Sequence, residues 1–92
     1  MRERGIERAC VKFAQSKGCL AFKLRPPPRG LPDRVFVLPH GKTVWVEFKT
    51  PKGRLSDAQS AMRDALIDLH HETWVVRSVA FFEDCLLEAL QR

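Results

Sequence analysis

Apolar residues recur along the chain with two different periods, and each change of period marks the boundary of an element. Between Glu3 and Lys17 they follow the stripe of a surface helix, and Gly18 stands where a left-handed residue commonly ends one. The stripe consists of Ile6, Ala9, Cys10, Phe13 and Ala14. Alternation with period two then predicts strands over residues 19–24, 34–38 and 43–49, the last two joined by a turn at 39–42.

The second half of the chain alternates helix and strand. Ser56 begins the second helix as its N-cap, and Gln59 three residues later completes a capping-box pattern. The apolar stripe of this helix is interpreted as core and consists of Ala58, Ala61, Met62, Ala65, Leu66 and Leu69. The apolar pattern of residues 73–77 predicts a buried strand. This strand should be parallel to strand 43–49, because a helix connects the two. Ser78 caps a last helix, whose inward face is Phe82, Cys85, Leu86, Ala89 and Leu90.

These elements give the order α-β-β-β-α-β-α, an α/β domain in which helices flank a small mixed sheet. A chain of 92 residues that is 45% hydrophobic and 29% charged is typical of one soluble domain with a modest core. No apolar run approaches the roughly 20 residues that span a bilayer, and the charged N-terminal residues lack the apolar segment of a signal peptide. We therefore expect a single cytoplasmic domain over residues 1–92, without a membrane partner.

The charge of the chain indicates a class of partner. Sixteen Lys and Arg against eleven Asp and Glu give a formal net charge of +5, whose commonest functional cause is a polyanion such as nucleic acid. Two loops are suited to phosphate contact, and their candidate residues are Arg25, Arg29, Lys52 and Arg54. Three prolines in a row stiffen the first of these loops. The cysteines, Cys10, Cys19 and Cys85, lack metal-ligand spacing and are expected to be reduced core residues.

The candidate chemistry lies on strand 43–49 and at the corner before the preceding strand. Period two places Glu47 and Lys49 side by side on one face, and Asp33 at the corner supplies a second carboxylate. The alternate residues, Val44, Val46 and Phe48, should face the core. Two carboxylates suit Mg²⁺, and the backbone carbonyl of Phe48 could add a third oxygen. Lys49 would then orient the attacking water and stabilise developing negative charge, which is the chemistry of phosphodiester hydrolysis.

Two further residues have two interpretations each. Gln59 either serves only the capping box or hydrogen-bonds the water or a substrate phosphate beside the metal strand. Glu7 borders the apolar stripe of the first helix, where it is either an additional metal or water ligand or a surface acid paired with Arg8 or Lys12. Glu3, one turn earlier, is the alternative acid. The histidines are interpreted as solvent-exposed turn residues, at His40, His70 and His71.

The order of these motifs resembles the PD-(D/E)XK nuclease superfamily, and more narrowly the small stand-alone VRR-NUC proteins typical of phages and bacteria. The resemblance covers nearly the whole chain. It rests on G-L-P-D at 30–33, E-F-K at 47–49, T-P-K-G-R-L-S at 50–56, Gln59 and the Ile6-Glu7 pair. The Val-Arg-Arg element that names the family is present only in part, as V-V-R-S with Arg77.

The resemblance implies a restriction-endonuclease-like core and a DNA endonuclease that depends on Mg²⁺, with Mn²⁺ as a substitute. It implies Asp33 and Glu47 as metal ligands, with Lys49 as the catalytic lysine. Gln59 and Glu7 would support them. Small members of this kind look like structure-selective homodimers acting on branched DNA such as four-way (Holliday) junctions, without a small-molecule cofactor.

The residues alone support less than the resemblance does. They indicate a basic domain with a Mg²⁺-compatible phosphodiesterase site. Two other function classes stay open from the sequence. One is a non-catalytic nucleic-acid-binding module on the same fold, and the other is a small interaction protein whose charge is incidental. The latter leaves Asp33, Glu47 and Lys49 without a role.

Overall fold

A computed structural model describes residues 2–92, and its helices flank a four-stranded sheet. The helices are α1 (Glu3–Ser16), α2 (Asp57–Asp68) and α3 (Val79–Gln91). The strands are β1 (Leu20–Phe22), β2 (Arg34–Leu38), β3 (Lys42–Phe48) and β4 (Glu72–Val76), with a 3₁₀ turn at Pro39–Gly41. Within residues 2–92 no helix is both long and apolar enough to cross a membrane. The predicted α/β class and element order are confirmed.

Local signals in the sequence account for the ends of the helices. The Ser56 side chain accepts from the Gln59 backbone N–H and the Gln59 side chain accepts from the Ser56 N–H, which is the predicted capping box. Ser78 caps α3 by accepting from the Phe81 N–H. A left-handed residue ends each of the other two helices, Gly18 after α1 and His70 after α2, with the backbone bonds of a Schellman motif.

The strands form one mixed sheet in the order β1-β2-β3-β4. The pairs β1–β2 and β2–β3 are antiparallel, whereas β4 runs parallel to β3, as predicted for a connection through a helix. Arg34 pairs with Val46 across the β2–β3 ladder, so the residue before β2 lies beside the residue after Val46. This register brings Asp33 next to Glu47.

The hydrophobic core lies on the sheet face that α1 and α3 cover, here called the α1/α3 face. Val44, Val46 and Phe48 point into it, as their alternation predicts. Phe82 of α3 is at its centre, with ring centroids 5.1 Å from Phe36 and 6.4 Å from Phe48. The other fully buried members come from α1, β4 and α3 and include Ile6, Cys10, Ala14, Val76 and Leu86. Most of the buried apolar side chains therefore stabilise one face.

The opposite face, here called the α2 face, is much less covered, and the core prediction for α2 is wrong. No residue of α2 is buried. Ala61, Ala65 and Leu69 of the predicted stripe are exposed, and Ala58, Met62 and Leu66 are only half-buried. The helix packs mainly on β4, an edge strand, and its alanines bring little apolar surface to that contact.

The two edge strands also differ from their predictions. β1 is shorter than residues 19–24, and its apolar residues on the α2 face stay exposed, with Leu20 at 56% and Phe22 at 52%. β4 was predicted to be buried, yet only Val76 is, because the strand has a neighbour on one side only. Among the cysteines Cys10 and Cys19 are buried and Cys85 is half-buried, and all three are free thiols.

Candidate active site

The two predicted metal carboxylates lie together at the end of β3, on the α2 face. Asp33 is held there by the backbone, because its Oδ2 accepts the Phe48 N–H at 2.8 Å. The side chains of Asp33 and Glu47 are within hydrogen-bonding reach of each other. Asp33 therefore has a dual contact, with the β3 backbone and with the second carboxyl.

Glu47 was expected to be presented on the sheet surface, but it is buried, with 5% of its surface exposed. It is the one charged side chain buried among residues 2–92. Burial, the charge of Asp33 and a hydrogen bond with it together raise the pKa of the Glu47 carboxyl from 4.5 to about 8, against an opposing effect of Lys49. Added positive charge beside the buried Glu47 and the half-buried Asp33 would stabilise both carboxylates.

Gln59 closes the predicted capping box, and it also contacts the carboxylate site, through Glu47 and not through the predicted water or phosphate. Its Oε1 accepts the Ser56 N–H at 2.8 Å, which closes the capping box. Its Nε2 donates to Glu47 Oε2 at 2.9 Å. The side chain that completes the start of α2 therefore also orients the buried carboxylate, rather than being directed only at water or a phosphate.

Lys49 lies beside the carboxylates, as its position on β3 predicts. Its Nζ is 3.8 Å from Glu47 Oε2, and its side chain is 15% exposed. The Lys49 N–H donates to the Val76 carbonyl at 2.9 Å, so the parallel β3–β4 ladder extends past Glu47 and fixes the direction of the lysine stem. The ammonium group is thus held at the mouth of the site, between the buried carboxylate and solvent.

These residues fit a hard divalent cation. Asp33 and Glu47 offer adjacent carboxylate oxygens, and a cation would offset the repulsion and burial that raise the Glu47 pKa. No cluster of three or more His, Cys, Asp or Glu that could hold a metal ion occurs in the described part of the chain. The protein ligands available are therefore two carboxylates, which is the donor set that Mg²⁺ accepts when water and substrate oxygens complete its shell.

Glu7 lies near the site but its contacts are elsewhere. Its Oε2 accepts from Arg34 Nε at 2.7 Å and lies 3.3 Å from Lys23 Nζ, on the α1/α3 side of the sheet. The predicted alternative of pairing with Arg8 or Lys12 is therefore wrong, since both partners come from outside α1. Glu3, not Glu7, is the helix acid whose charge acts on Glu47.

The loop that carries Asp33 is packed tightly against the start of α2. Gly30 has a φ of +81°, and a Cβ at this position would overlap the Ala58 backbone carbonyl. Only glycine combines this left-handed backbone with so close an approach. Gly30 therefore couples the Asp33 loop to the helix turn that carries Gln59.

The predicted phosphate-contact residues are exposed, but they do not form one surface. Arg29 lines a cleft with the first turn of α2, and Arg25 lines a different cleft beside α1. Lys52 and Arg54 lie on the loop after β3. Arg77 positions that loop by donating to the Gly53 carbonyl at 2.8 Å, a role the sequence analysis missed. The sequence did contain a signal for this role, because Arg77 is a basic residue directly after β4, the strand that neighbours the site.

No protein-family model matches the chain. The chain is 35% identical over 79 residues to "Putative nuclease p44" of Acyrthosiphon pisum secondary endosymbiont phage 1, and the match covers 85% of each chain. A solved structure of a VRR_NUC domain has the same fold, with a TM-score of 0.80 at 18% sequence identity, and covers 91% of this chain and 92% of that one.

Proposed function

Because this chain belongs to the VRR-NUC family, with a fold of the PD-(D/E)XK type, we propose that it is a nuclease that uses a divalent cation to hydrolyse phosphodiester bonds in DNA. One observation carries the proposal. A buried carboxyl group, Glu47, lies beside a second carboxyl group, is hydrogen-bonded by Gln59 and has Lys49 3.8 Å away. Burying such a group costs stability, and groups whose pKa is perturbed in this way are concentrated at functional sites.

Each side chain has a proposed role in this reaction. Asp33 and Glu47 would hold Mg²⁺ or Mn²⁺, with the Phe48 backbone carbonyl as a proposed third oxygen. When bound, the cation supplies positive charge beside the scissile phosphate and favours deprotonation of the attacking water. Lys49 orients that water and stabilises the negative charge that develops on the phosphate.

Two side chains support the proposed ligands indirectly. Gln59 keeps Glu47 in its rotamer through the 2.9 Å hydrogen bond. Glu7 neutralises Arg34, the residue directly after Asp33, and this contact supports a positioning role for Glu7 more directly than a role as metal ligand. The arrangement fits the view that α1 sets the electrostatics around the carboxylates, while β3 supplies Glu47 and the loop before β2 supplies Asp33.

Cleavage within branched DNA by a homodimer belongs to the same proposal. A domain of 92 residues has one such site, so paired incision of a four-way junction needs two copies related by a two-fold axis. The surface we propose for the second copy is the edge strand β1 together with the residues that follow it, where Leu20, Phe22 and Leu24 are exposed. Sedimentation equilibrium would test it. Phe22→Lys should give monomers, and Phe81→Lys, a matched change at an exposed phenylalanine of α3, should not.

The proposed function is tested by cleavage of labelled four-way junction, flap and linear duplex DNA with Mg²⁺, Mn²⁺ or EDTA. Wild type should cut only with a metal ion, and Glu47→Gln should lose at least about 100-fold in rate because a ligand and its charge are removed. Glu88→Gln, an isosteric change at an exposed glutamate of α3, is the control and should cut like wild type.

A second readout does not depend on activity. Mg²⁺ should raise the melting temperature of wild type, and Asp33→Asn should abolish that rise while leaving the metal-free protein folded. DNA binding without metal-dependent cleavage, in a protein whose melting is indifferent to Mg²⁺, would reject the nuclease and favour a binding module.

A further inference from the structure

A cavity of about 660 Å³ lies between α1, the residues that follow β1 and the start of β2. We call it the α1 groove. Its cationic lining residues are Arg4, Arg8, Lys12, Lys23, Arg25 and Arg34. Only Arg25 among them was predicted from the sequence to contact nucleic acid.

The α1 groove holds most of the net charge of the protein. Its six cations and its two carboxylates, Glu3 and Glu7, leave a net charge of +4, whereas the whole chain carries +5. The rest of the chain is therefore almost neutral, at +1. A polyanion approaching the molecule meets a net charge of +4 concentrated in one cleft, whose low-dielectric walls strengthen the field.

The cations of α1 form a regular row along one wall. Arg4, Arg8 and Lys12 recur every four residues, which sets them about 6 Å apart along the helix axis. All three side chains are exposed, and none forms a salt bridge or side-chain hydrogen bond among residues 2–92. Like charges at this spacing weaken a helix, so the row reduces the stability of α1 instead of supporting it. A row of phosphates would neutralise it.

The opposite wall is organised differently. Lys23 and Arg34 both contact Glu7, which partly neutralises them and fixes their side chains. The groove therefore combines one rigid, partly neutralised wall with one open cationic wall. An extended polyanion in the groove would make its strongest contacts with the α1 row.

The groove adjoins a second cavity that reaches one of the two carboxylates, Asp33. A smaller cavity of about 140 Å³ shares Lys23 and Arg25 with the groove and has Asp33 in its lining. Arg34, in the groove wall, directly follows Asp33 in the chain, and Glu3 is at the groove end of α1. A strand lying in the groove would thus pass from the α1 row to the carboxylates.

We propose that the α1 groove binds the sugar–phosphate backbone of nucleic acid and leads the bound strand to Asp33 and Glu47. The proposal deepens the function proposed above, on which it rests for the identity of the site at the groove's end. It assigns the main backbone contacts to Arg4, Arg8 and Lys12. The loop residues Arg29, Lys52 and Arg54 then make a smaller contribution.

Two matched triple variants test the proposal. The groove variant is Arg4→Gln/Arg8→Gln/Lys12→Gln, and the loop variant is Arg29→Gln/Lys52→Gln/Arg54→Gln. Both remove three positive charges from exposed positions, so an effect of net charge alone would be equal in the two. Glutamine is a good helix former, and far-UV circular dichroism with a thermal melt would verify that α1 is retained.

The main measurement is binding of a fluorescein-labelled 30-base-pair DNA duplex, followed by anisotropy in EDTA over a range of NaCl concentrations. The groove variant should bind at least about 30-fold more weakly at low salt and lose about two to three units from the slope of log K against log salt, near 0.9 per lost phosphate contact. The loop variant should lose less than about one unit. A folded groove variant that binds like wild type, or equal losses in the two variants, would overturn the proposal.

Cleavage kinetics separate this proposal from the nuclease itself. With Mg²⁺, the substitutions of the groove variant should raise KM for DNA far more than they lower kcat, because the carboxylates and Lys49 are unchanged. If the wild type binds DNA through the groove but never cuts it, the proposed nuclease activity is rejected and the proposed binding site is retained. If the wild type does not bind DNA at all, the proposed binding site is rejected.

Discussion

The two faces of the sheet differ in how their side chains are packed. On the α1/α3 face, Phe36, Phe48 and Phe82 are in mutual contact and fully buried. On the α2 face, the covering helix has no buried residue, and Glu47 is the one acidic or basic side chain that is buried among the residues the structure describes. The first face accounts for stability, and the second accepts a buried carboxylate and exposed apolar residues that reduce it. This division is expected where a site requires groups that a core would exclude.

Truncating one leucine on each face gives the largest expected difference. Leu86→Ala on the α1/α3 face should lower the free energy of unfolding by about 4 kcal/mol, because Leu86 is fully buried and a cavity would remain. Leu66→Ala on α2 should cost about 1 kcal/mol, because Leu66 is half-buried and its site can collapse. Urea denaturation of both variants measures the two losses. Equal losses would show that the faces do not differ in packing.

Two glycines test how rigidly the α2 face is joined to the Asp33 loop. Gly30→Ala should cost about 3 kcal/mol, because the new methyl group would meet the Ala58 carbonyl as well as adopt a left-handed backbone. Gly18→Ala should cost about 1 kcal/mol, because Gly18 shares the left-handed backbone, with a φ of +85°, but has no atom nearby. Chemical denaturation compares the two variants. A similar loss of stability in both would mean that the contact between Gly30 and α2 can relax to accommodate a methyl group.

Protonation of Glu47 links the α2 face to pH in the metal-free protein. The folded-state pKa of about 8 lies above the ordinary value of 4.5, so the stability that the protonated carboxyl contributes is complete below pH 4.5 and is lost as pH rises towards 8. In EDTA, wild type should lose about 2 kcal/mol between pH 6 and pH 8 relative to Glu47→Gln, which cannot ionise there. Parallel stability curves for the two proteins would contradict this prediction.

The smallest expected effect concerns the ends of α1 and α2. The same Schellman motif ends both helices, but α1 uses Gly18 and α2 uses His70 with a φ of 67°. His70→Gly should raise the free energy of unfolding by about 1 kcal/mol, because a left-handed histidine is strained and glycine is not. Thermal and urea melts measure the gain. A loss of stability would mean that the His70 side chain makes compensating contacts.

The sequence predicted the α1/α3 face better than the α2 face, for a physical reason. The alternation of Val44, Val46 and Phe48 reports burial directly, because those side chains meet an apolar layer. The apolar stripe of α2 follows the helical period. That period indicates only which side of the helix faces the sheet. How deeply it is buried depends on what lies beneath it, and β4 is an edge strand. Periodicity cannot distinguish a half-covered edge from the centre of a sheet.

The candidate site shows the same limit in its contacts. Glu47 and Lys49 were located by strand alternation and Asp33 by its place at the corner before the preceding strand, and the structure brings the three together. The partners of Glu7 could not be predicted, because Arg34 and Lys23 are distant from it in sequence and meet it only when α1 docks. The α1 groove was missed for a related reason, since its two walls come from segments that neither period nor motif connects.

The double contact of Gln59 restricts which residue this position can hold. A capping box by itself accepts glutamine or glutamate, because either side chain offers an oxygen to the N-cap N–H. Here the other end of the same side chain must donate to Glu47, and a carboxylate has no hydrogen to give. Gln59→Glu would keep the helix start but would place a further carboxylate beside Glu47 and Asp33, without a hydrogen to donate. Redesign of α2 for stability alone would therefore find two solutions at this position, of which the site permits one.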